Sequence, residues 1–174
     1  MFLYKKLNSI SQETEELFLT EVLNSKVVWF TAVNLPGGAL EFVRDKPDAQ
    51  FFMARLTKFK QLSKIISEKY PAANLENSYA TRCFPGYHMI PHIDANRQTA
   101  LIIPLGTNKG KLSYYFFGKK LISHTYTGPL LSRVDLYHSA ENDSPEIRYS
   151  ITLEIPGSFL SNYFKYQDCL VYSR

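Results

Sequence analysis

The spacing of apolar and polar positions divides the chain near residue 78. Before that point, apolar residues recur mainly at helical intervals. Leu17, Phe18 and Val22 follow the helical period, and Ser9 with Gln12 three positions on has the form of a capping box, so a helix is predicted over 11–24. A second helix is predicted over 48–69, where Phe52, Leu56, Phe59, Leu62 and Ile66 fall on one stripe and Pro71 stops the run. Between the two, Val27, Val28, Trp29 and Phe30 read as a short strand that ends near the turn residues Leu35, Pro36, Gly37 and Gly38.

From Ser78 the period shortens. Strands are predicted at 78–84, 87–93, 99–104, 111–117, 120–126, 130–138 and 147–155, most of them bounded by Gly or Pro. Short strands at this spacing predict a mainly β fold with N-terminal helices. The form expected is a double-stranded β-helix, a cupin-like jelly roll with the helices packed outside it. The sequence holds no repeat, low-complexity tract or Gly/Ser linker. The 174 residues are therefore read as a single domain, with 1–77 as helical N-terminal support, 78–157 as the jelly-roll core and 158–174 as a C-terminal extension.

Composition narrows the functional classes. Hydrophobic residues at 45% and charged residues at 21% suit a globular protein and exclude a disordered one. There is no run of 18 apolar residues and no apolar segment near the N-terminus, so no membrane span, no secretory signal and a cytoplasmic location are expected. Cys83 and Cys169 are too few for a disulfide framework and are expected as reduced thiols that catalysis does not need. The net charge of +4 contains no block of five like charges. A nucleic-acid partner is not expected, whereas a small anionic ligand suits the excess.

Candidate chemistry starts from four histidines, His88, His92, His124 and His138. His92 and Asp94 lie two apart at a predicted strand end and so project from one face. Alone, they match an ordinary hydrogen-bonded surface pair better than a metal site. His138, further on, adds a second imidazole, and two His with one carboxylate leave three metal positions open, as in non-haem Fe(II) oxygenases. Arg148 and Ser150 again share a strand face, opposite Tyr149, Ile151, Leu153 and Ile155. An inward-facing Arg148 needs an anion. His88 has the strand parity of His92, which leaves it either at the pocket mouth or as a partly exposed sheet histidine. Arg82 and Arg97 flank the same strand as steering groups for an anionic substrate or as solvated charges. The His88/His92 spacing would suit a zinc-binding helix, but Pro91 lies inside it and the catalytic Glu is missing. His124 has no acidic partner at ligand spacing and is read as structural, and Tyr114, Tyr115, Phe116 and Phe117 as core and hairpin packing.

In order and spacing, His92, Asp94, His138, Arg148 and Ser150 resemble the His-x-Asp, distal His and Arg-x-Ser pattern of the Fe(II)/2-oxoglutarate-dependent oxygenases, over about residues 78–155. The resemblance implies catalytic Fe(II) on His92, Asp94 and His138. It also implies 2-oxoglutarate chelated to the metal at its keto-acid end, with the far carboxylate on Arg148 and Ser150. Dioxygen is then the second cosubstrate, and a hydroxylated product forms with succinate and carbon dioxide. Within the family, Pro85-Gly86, Pro91-His92-Ile93-Asp94 and His138-Ser139-Ala140-Glu141-Asn142 look closest to the aspartyl/asparaginyl β-hydroxylase and proline hydroxylase branch. Leu101 and Ile103 depart from it, because asparaginyl members carry Arg and His there. Glu154 stands where nucleic-acid demethylating members carry a second Arg, and Asp94 favours hydroxylation over halogenation. The expected substrate is a small molecule, such as the free amino acid proline, or a peptide side chain, with His88, Arg82 and Arg97 as candidate contacts. Two alternatives stay open: a non-catalytic jelly-roll module that binds metal or serves structure, and a cupin-type enzyme that uses the same ligands without oxoglutarate.

Overall fold

The computed structural model describes residues 3–34, 40–44, 46, 48–94, 97–106 and 110–168. Its strands are β1 (Tyr4–Lys6), β2 (Phe30–Asn34), β3 (Leu40–Arg44), β4 (Phe51–Arg55), β5 (Asn74–Cys83), β6 (Thr99–Leu105), β7 (Gly110–Phe116), β8 (Lys119–Tyr126), β9 (Leu130–Arg133), β10 (His138–Glu141) and β11 (Arg148–Glu154). Its helices are α1 (Gln12–Asn24), α2 (Lys60–Lys69) and α3 (Phe159–Asp168), with a 3-10 turn at Leu56–Lys58. The larger antiparallel sheet runs β1-β9-β6-β11-β5-β4-β2-β3 and the smaller β10-β7-β8. Leu112, Tyr114 and Tyr126 of the small sheet pack on Leu3 and Leu130 against the large one. The buried Tyr114 hydroxyl donates to the Leu3 carbonyl at 2.7 Å and lies 2.9 Å from Ser132 Oγ. This two-sheet sandwich is the expected jelly roll.

The other face of the large sheet carries the main core. Ala80, Leu101, Ile103, Leu131, Ile151 and Leu153 alternate along their strands and meet Phe18 and Val22 of α1, Leu62 and Ile66 of α2, and Phe159 and Tyr166 of α3. Alternation on β11 therefore sends Ile151 and Leu153 toward the helices and Arg148 and Ser150 into the space between the sheets. Leu101 and Ile103 lie under the helices for the same reason.

Three expectations need correction. The predicted helix over 48–69 is β4, the 3-10 turn and then α2. Phe52 and Ala54 are buried alternately while Phe51 and Met53 face the other way, so the period there is two. The stripe Phe52, Leu56, Phe59, Leu62, Ile66 still enters one core, because a strand followed by a helix can present the same side. Residues 1–77 are also more than helical support, since β1 to β4 belong to the large sheet. The third correction is the α1 cap: Ser11, not Ser9, accepts from the Thr14 amide, at 3.3 Å. The turn expected at Leu35–Gly38 and the thiol expected at Cys169 lie outside the described residues. Among those residues, no helix is long and apolar enough to cross a membrane.

The predicted strand over 87–93 is an irregular edge on β10. Bridges form at His88↔Glu141 and His92↔His138, so the segment gains one residue on β10 between them. Pro91, which has no amide hydrogen to donate, sits in that bulge. The slip reverses parity. His92 stays with His138 on the inner side, while His88 meets Glu141 and Asp143 on the outer side, its nitrogens 3.7 Å and 3.5 Å from their carboxylates. Glu141 is 3% exposed there, yet Lys111 at 2.7 Å, Lys120 at 2.9 Å and the Ser113 hydroxyl at 2.8 Å satisfy it. Burial pushes the Glu141 carboxyl up, but these donors outweigh it and hold the carboxyl at about 2.

Two predictions follow from this packing. No side chain of its own caps α2; the Glu21 carboxylate of α1 accepts from the amides of Gln61 at 3.1 Å and Leu62 at 2.6 Å. Glu21→Ala should cost about 1 kcal/mol in urea unfolding, the usual worth of an N-cap. Glu141, depressed in the folded state, contributes stability above its unfolded value of 4.5 and loses it as pH falls toward 2. The gap in urea midpoint between wild type and Glu141→Gln should thus be open at pH 7 and close near pH 2.

Candidate metal centre and anion socket

The bulge at Pro91 leaves His92, Asp94 and His138 facing one point, and their ligand atoms all lie within 4.8 Å of one another. His138 is fixed by β10, and its inward direction follows from its pairing with the buried Tyr114. His92 comes from the opposite side of the same bridge, with ring centroids 4.6 Å apart. Asp94 is tied back by its amide, which donates to the Val134 carbonyl at 3.0 Å.

Both imidazoles are oriented by the same device. Nδ1 of His92 lies 3.0 Å from the Ile90 carbonyl, and Nδ1 of His138 lies 2.9 Å from the Leu136 carbonyl. A carbonyl can only accept, so each Nδ1 carries the hydrogen and each Nε2 presents a lone pair to the centre. This is the tautomer a divalent metal requires, set by the backbone two residues upstream of each histidine. His92 Nε2 is 3.3 Å from Asp94 Oδ1.

The charge balance fits the donor set. Asp94 beside Nε2 favours the protonated form of His92, which would donate to it, and so raises the His92 pKa; the lone pair faces the centre once that proton is off, whereas burial lowers His138. Burial would raise Asp94, but His92, Arg97 and His138 outweigh it, leaving the carboxyl at about 2. Asp94 is therefore a carboxylate at neutral pH. A second group of possible ligands, His88, Glu141 and Asp143, differs in kind, because Lys111 at 2.7 Å and 2.8 Å pairs with both of its carboxylates and Lys120 at 2.9 Å pairs with Glu141 as well.

Behind the triad lies a buried cation. Arg148 is 3% exposed, its Nη1 donates to the Glu141 carbonyl at 2.6 Å, and its Nε is buried with no partner among the described residues. No described carboxylate forms an ion pair with it. The carbonyl it holds is three residues along β10 from His138, about 10 Å at the rise of a strand. Next to it Ser150 Oγ meets Thr81 Oγ1 at 2.6 Å, so two hydroxyls share the wall. Cys83, opposite Arg148 in the β5–β11 register, is a free buried thiol pushed up to about 11 by burial despite the nearby guanidinium.

The five motif residues are thus brought to one interior, whereas the other three candidates go different ways. Arg97 reaches the triad, its Nε donating to Asp94 Oδ2 at 2.5 Å. His88 is turned to the outer side by the bulge, a correction to the parity expected of an unbroken strand. Arg82 is corrected as well: it lies on the helical face of β5, stacked over Trp29 and Phe52 at 4.8 Å and 4.4 Å. His124 stacks on Tyr4 at 4.2 Å. Phe116 and Phe117, expected to pack, are exposed at the hairpin tip. Sequence reading missed Thr81 and the two roles of Glu141, because a cross-strand partner and a carbonyl acceptor leave no signature in local spacing.

No family model matches the chain, and no curated protein is similar to it in sequence. Solved structures are similar in fold. A 2OG-Fe(II) oxygenase-family oxidoreductase from Burkholderia pseudomallei shares 9% identity over 87% of this chain and 82% of its own, with a TM-score of 0.57. YcfD, a ribosomal oxygenase from Escherichia coli solved with cobalt and succinic acid, shares 15% identity over 97% of this chain, with a TM-score of 0.50. The chain spans about half the length of that protein, 51%. The jelly roll of this chain is the fold on which both of those oxygenases are built.

Proposed function

We propose that this chain is an Fe(II)- and 2-oxoglutarate-dependent oxygenase that hydroxylates an amino-acid side chain, free or within a peptide. The observation that carries the reading is Arg148. A guanidinium is charged at every relevant pH, and burying it without a carboxylate costs several kcal/mol unless an anion arrives to pair with it. The far carboxylate of a diacid whose other end sits on a metal at His92, Asp94 and His138 suits the orphaned Nε and the spacing along β10. The oxygenases that share the fold, one of them solved with a metal and the C4 diacid succinate, support the same assignment.

When Fe(II) and 2-oxoglutarate are bound, they supply the oxidation: dioxygen is reduced, 2-oxoglutarate becomes succinate and carbon dioxide, and a substrate C–H becomes C–OH. The chain supplies the positioning. His92 and His138 offer Nε2 because their Nδ1 hydrogens are held by Ile90 and Leu136. Asp94 contributes the one negative charge, and three protein ligands leave three positions open. Arg148 and Ser150 fix the cosubstrate carboxylate. The His92 side chain is 40% exposed, so the centre opens at the surface and a residue carried on a peptide can reach it as directly as a free amino acid. Arg82 and His88 face elsewhere and take no part.

His138→Ala should abolish stoichiometric Mn(II) binding, measured by calorimetry, without loss of fold. Arg148→Lys keeps the charge but loses the fork, and should weaken 2-oxoglutarate by about tenfold to a hundredfold, or about 1–3 kcal/mol, with Mn(II) binding retained. Unchanged 2-oxoglutarate affinity would remove the socket and leave a metal-binding jelly roll. For the activity, succinate formation should rise above its basal rate with at least one member of an amino-acid and peptide panel. A metal-loaded protein that never forms succinate would contradict the proposal.

A further inference from the structure

Asp94 has two oxygens, and the structure gives them different partners. Oδ1 faces the centre, 3.3 Å from His92 Nε2, while Oδ2 accepts from Arg97 Nε at 2.5 Å. Arg97 stands three positions after Asp94, and both side chains are largely buried. A charge-assisted bond in such a setting is among the stronger single contacts a side chain makes.

We propose that Arg97 is a positioning residue that confines Asp94 to one-oxygen ligation, so that the metal keeps three open positions. This rests on the oxygenase reading and adds to it. A carboxylate free to rotate can chelate a divalent metal through both oxygens, and that would consume a position needed by the keto acid or by dioxygen. Holding Oδ2 on the guanidinium prevents this. The arrangement also explains why Arg97 belongs near the metal despite its charge. Coulomb repulsion alone would make a cation beside the site a liability for metal affinity, and a geometric benefit offsets it.

Arg97 thereby takes a different place from the substrate contact expected from its position in the sequence. Its Nε is committed to Asp94, while its Nη1 is buried with no partner among the described residues. Lys at the same position could still hold Oδ2 through its ammonium, whereas Ala could not.

The test is the number of waters on bound Mn(II), read from water-proton relaxation at saturating protein, in wild type, Arg97→Ala and Arg97→Lys. Wild type should hold one Mn(II) with three waters, Arg97→Ala one Mn(II) with two, and Arg97→Lys should return to three. Apparent affinity for 2-oxoglutarate should fall about tenfold in Arg97→Ala and recover in Arg97→Lys. Tighter Mn(II) binding in Arg97→Ala with three waters retained would mean that Arg97 acts by charge alone and would overturn the inference. If Arg97→Ala binds no metal, Arg97→Lys decides: three waters support the inference and fewer overturn it. Failure of wild type itself to bind Mn(II) would instead overturn the oxygenase reading, and this inference with it.

Discussion

A guanidinium shut between two sheets, with no carboxylate partner among the described residues, is the constraint around which the rest of the molecule is arranged. Arg148 cannot lose its proton, so its charge must be met by dipoles or by an incoming anion. The Glu141 carbonyl meets one donor, and the side chain of the same residue is locked on the far face of the small sheet by Lys111, Lys120 and Ser113. β10 therefore acts as a strut. Its first residue, His138, faces the centre, its last carbonyl anchors Arg148, and its last side chain ties it to β7 and β8.

The second constraint is the bulge at Pro91. Without the extra residue, His88 and His92 would share a face, and two imidazoles would compete for the inner side. With it, His92 and Asp94 converge on His138 while His88 joins the ion pairs outside. Backbone carbonyls then choose the tautomer of both histidines. The two imidazoles are thus oriented by main-chain geometry, while the Asp94 carboxylate is held by the Arg97 side chain. Both arms meet in the inner space that the helices leave uncovered, because α1, α2 and α3 press on the opposite face of the large sheet.

Much of this was legible in the sequence. Two-residue spacing placed His92 with Asp94 and Arg148 with Ser150, and turn residues marked most strands of the core. What escaped has physical causes. The stripe from Phe52 to Ile66 satisfies a helix and also a strand–turn–helix that buries the same residues, so spacing alone could not separate them. Parity carried His88 to the wrong face because a one-residue bulge is invisible to periodicity. Arg82 was assigned to the site by proximity along the chain, but it lies between Trp29 and Phe52 on the other face of β5. Thr81 lies opposite Ser150 only through the pairing of strands distant in sequence.

The claim at the centre of this account is that metal and anion socket act on one molecule. Anaerobic titration of 2-oxoglutarate into the Fe(II)-loaded protein, followed by metal-to-ligand charge-transfer absorbance, addresses it directly. The account predicts a visible band that saturates at one equivalent and does not form with succinate, which has no keto acid to chelate. A protein that binds Fe(II) and 2-oxoglutarate separately but develops no band would contradict it, since the cosubstrate would then lie away from the metal.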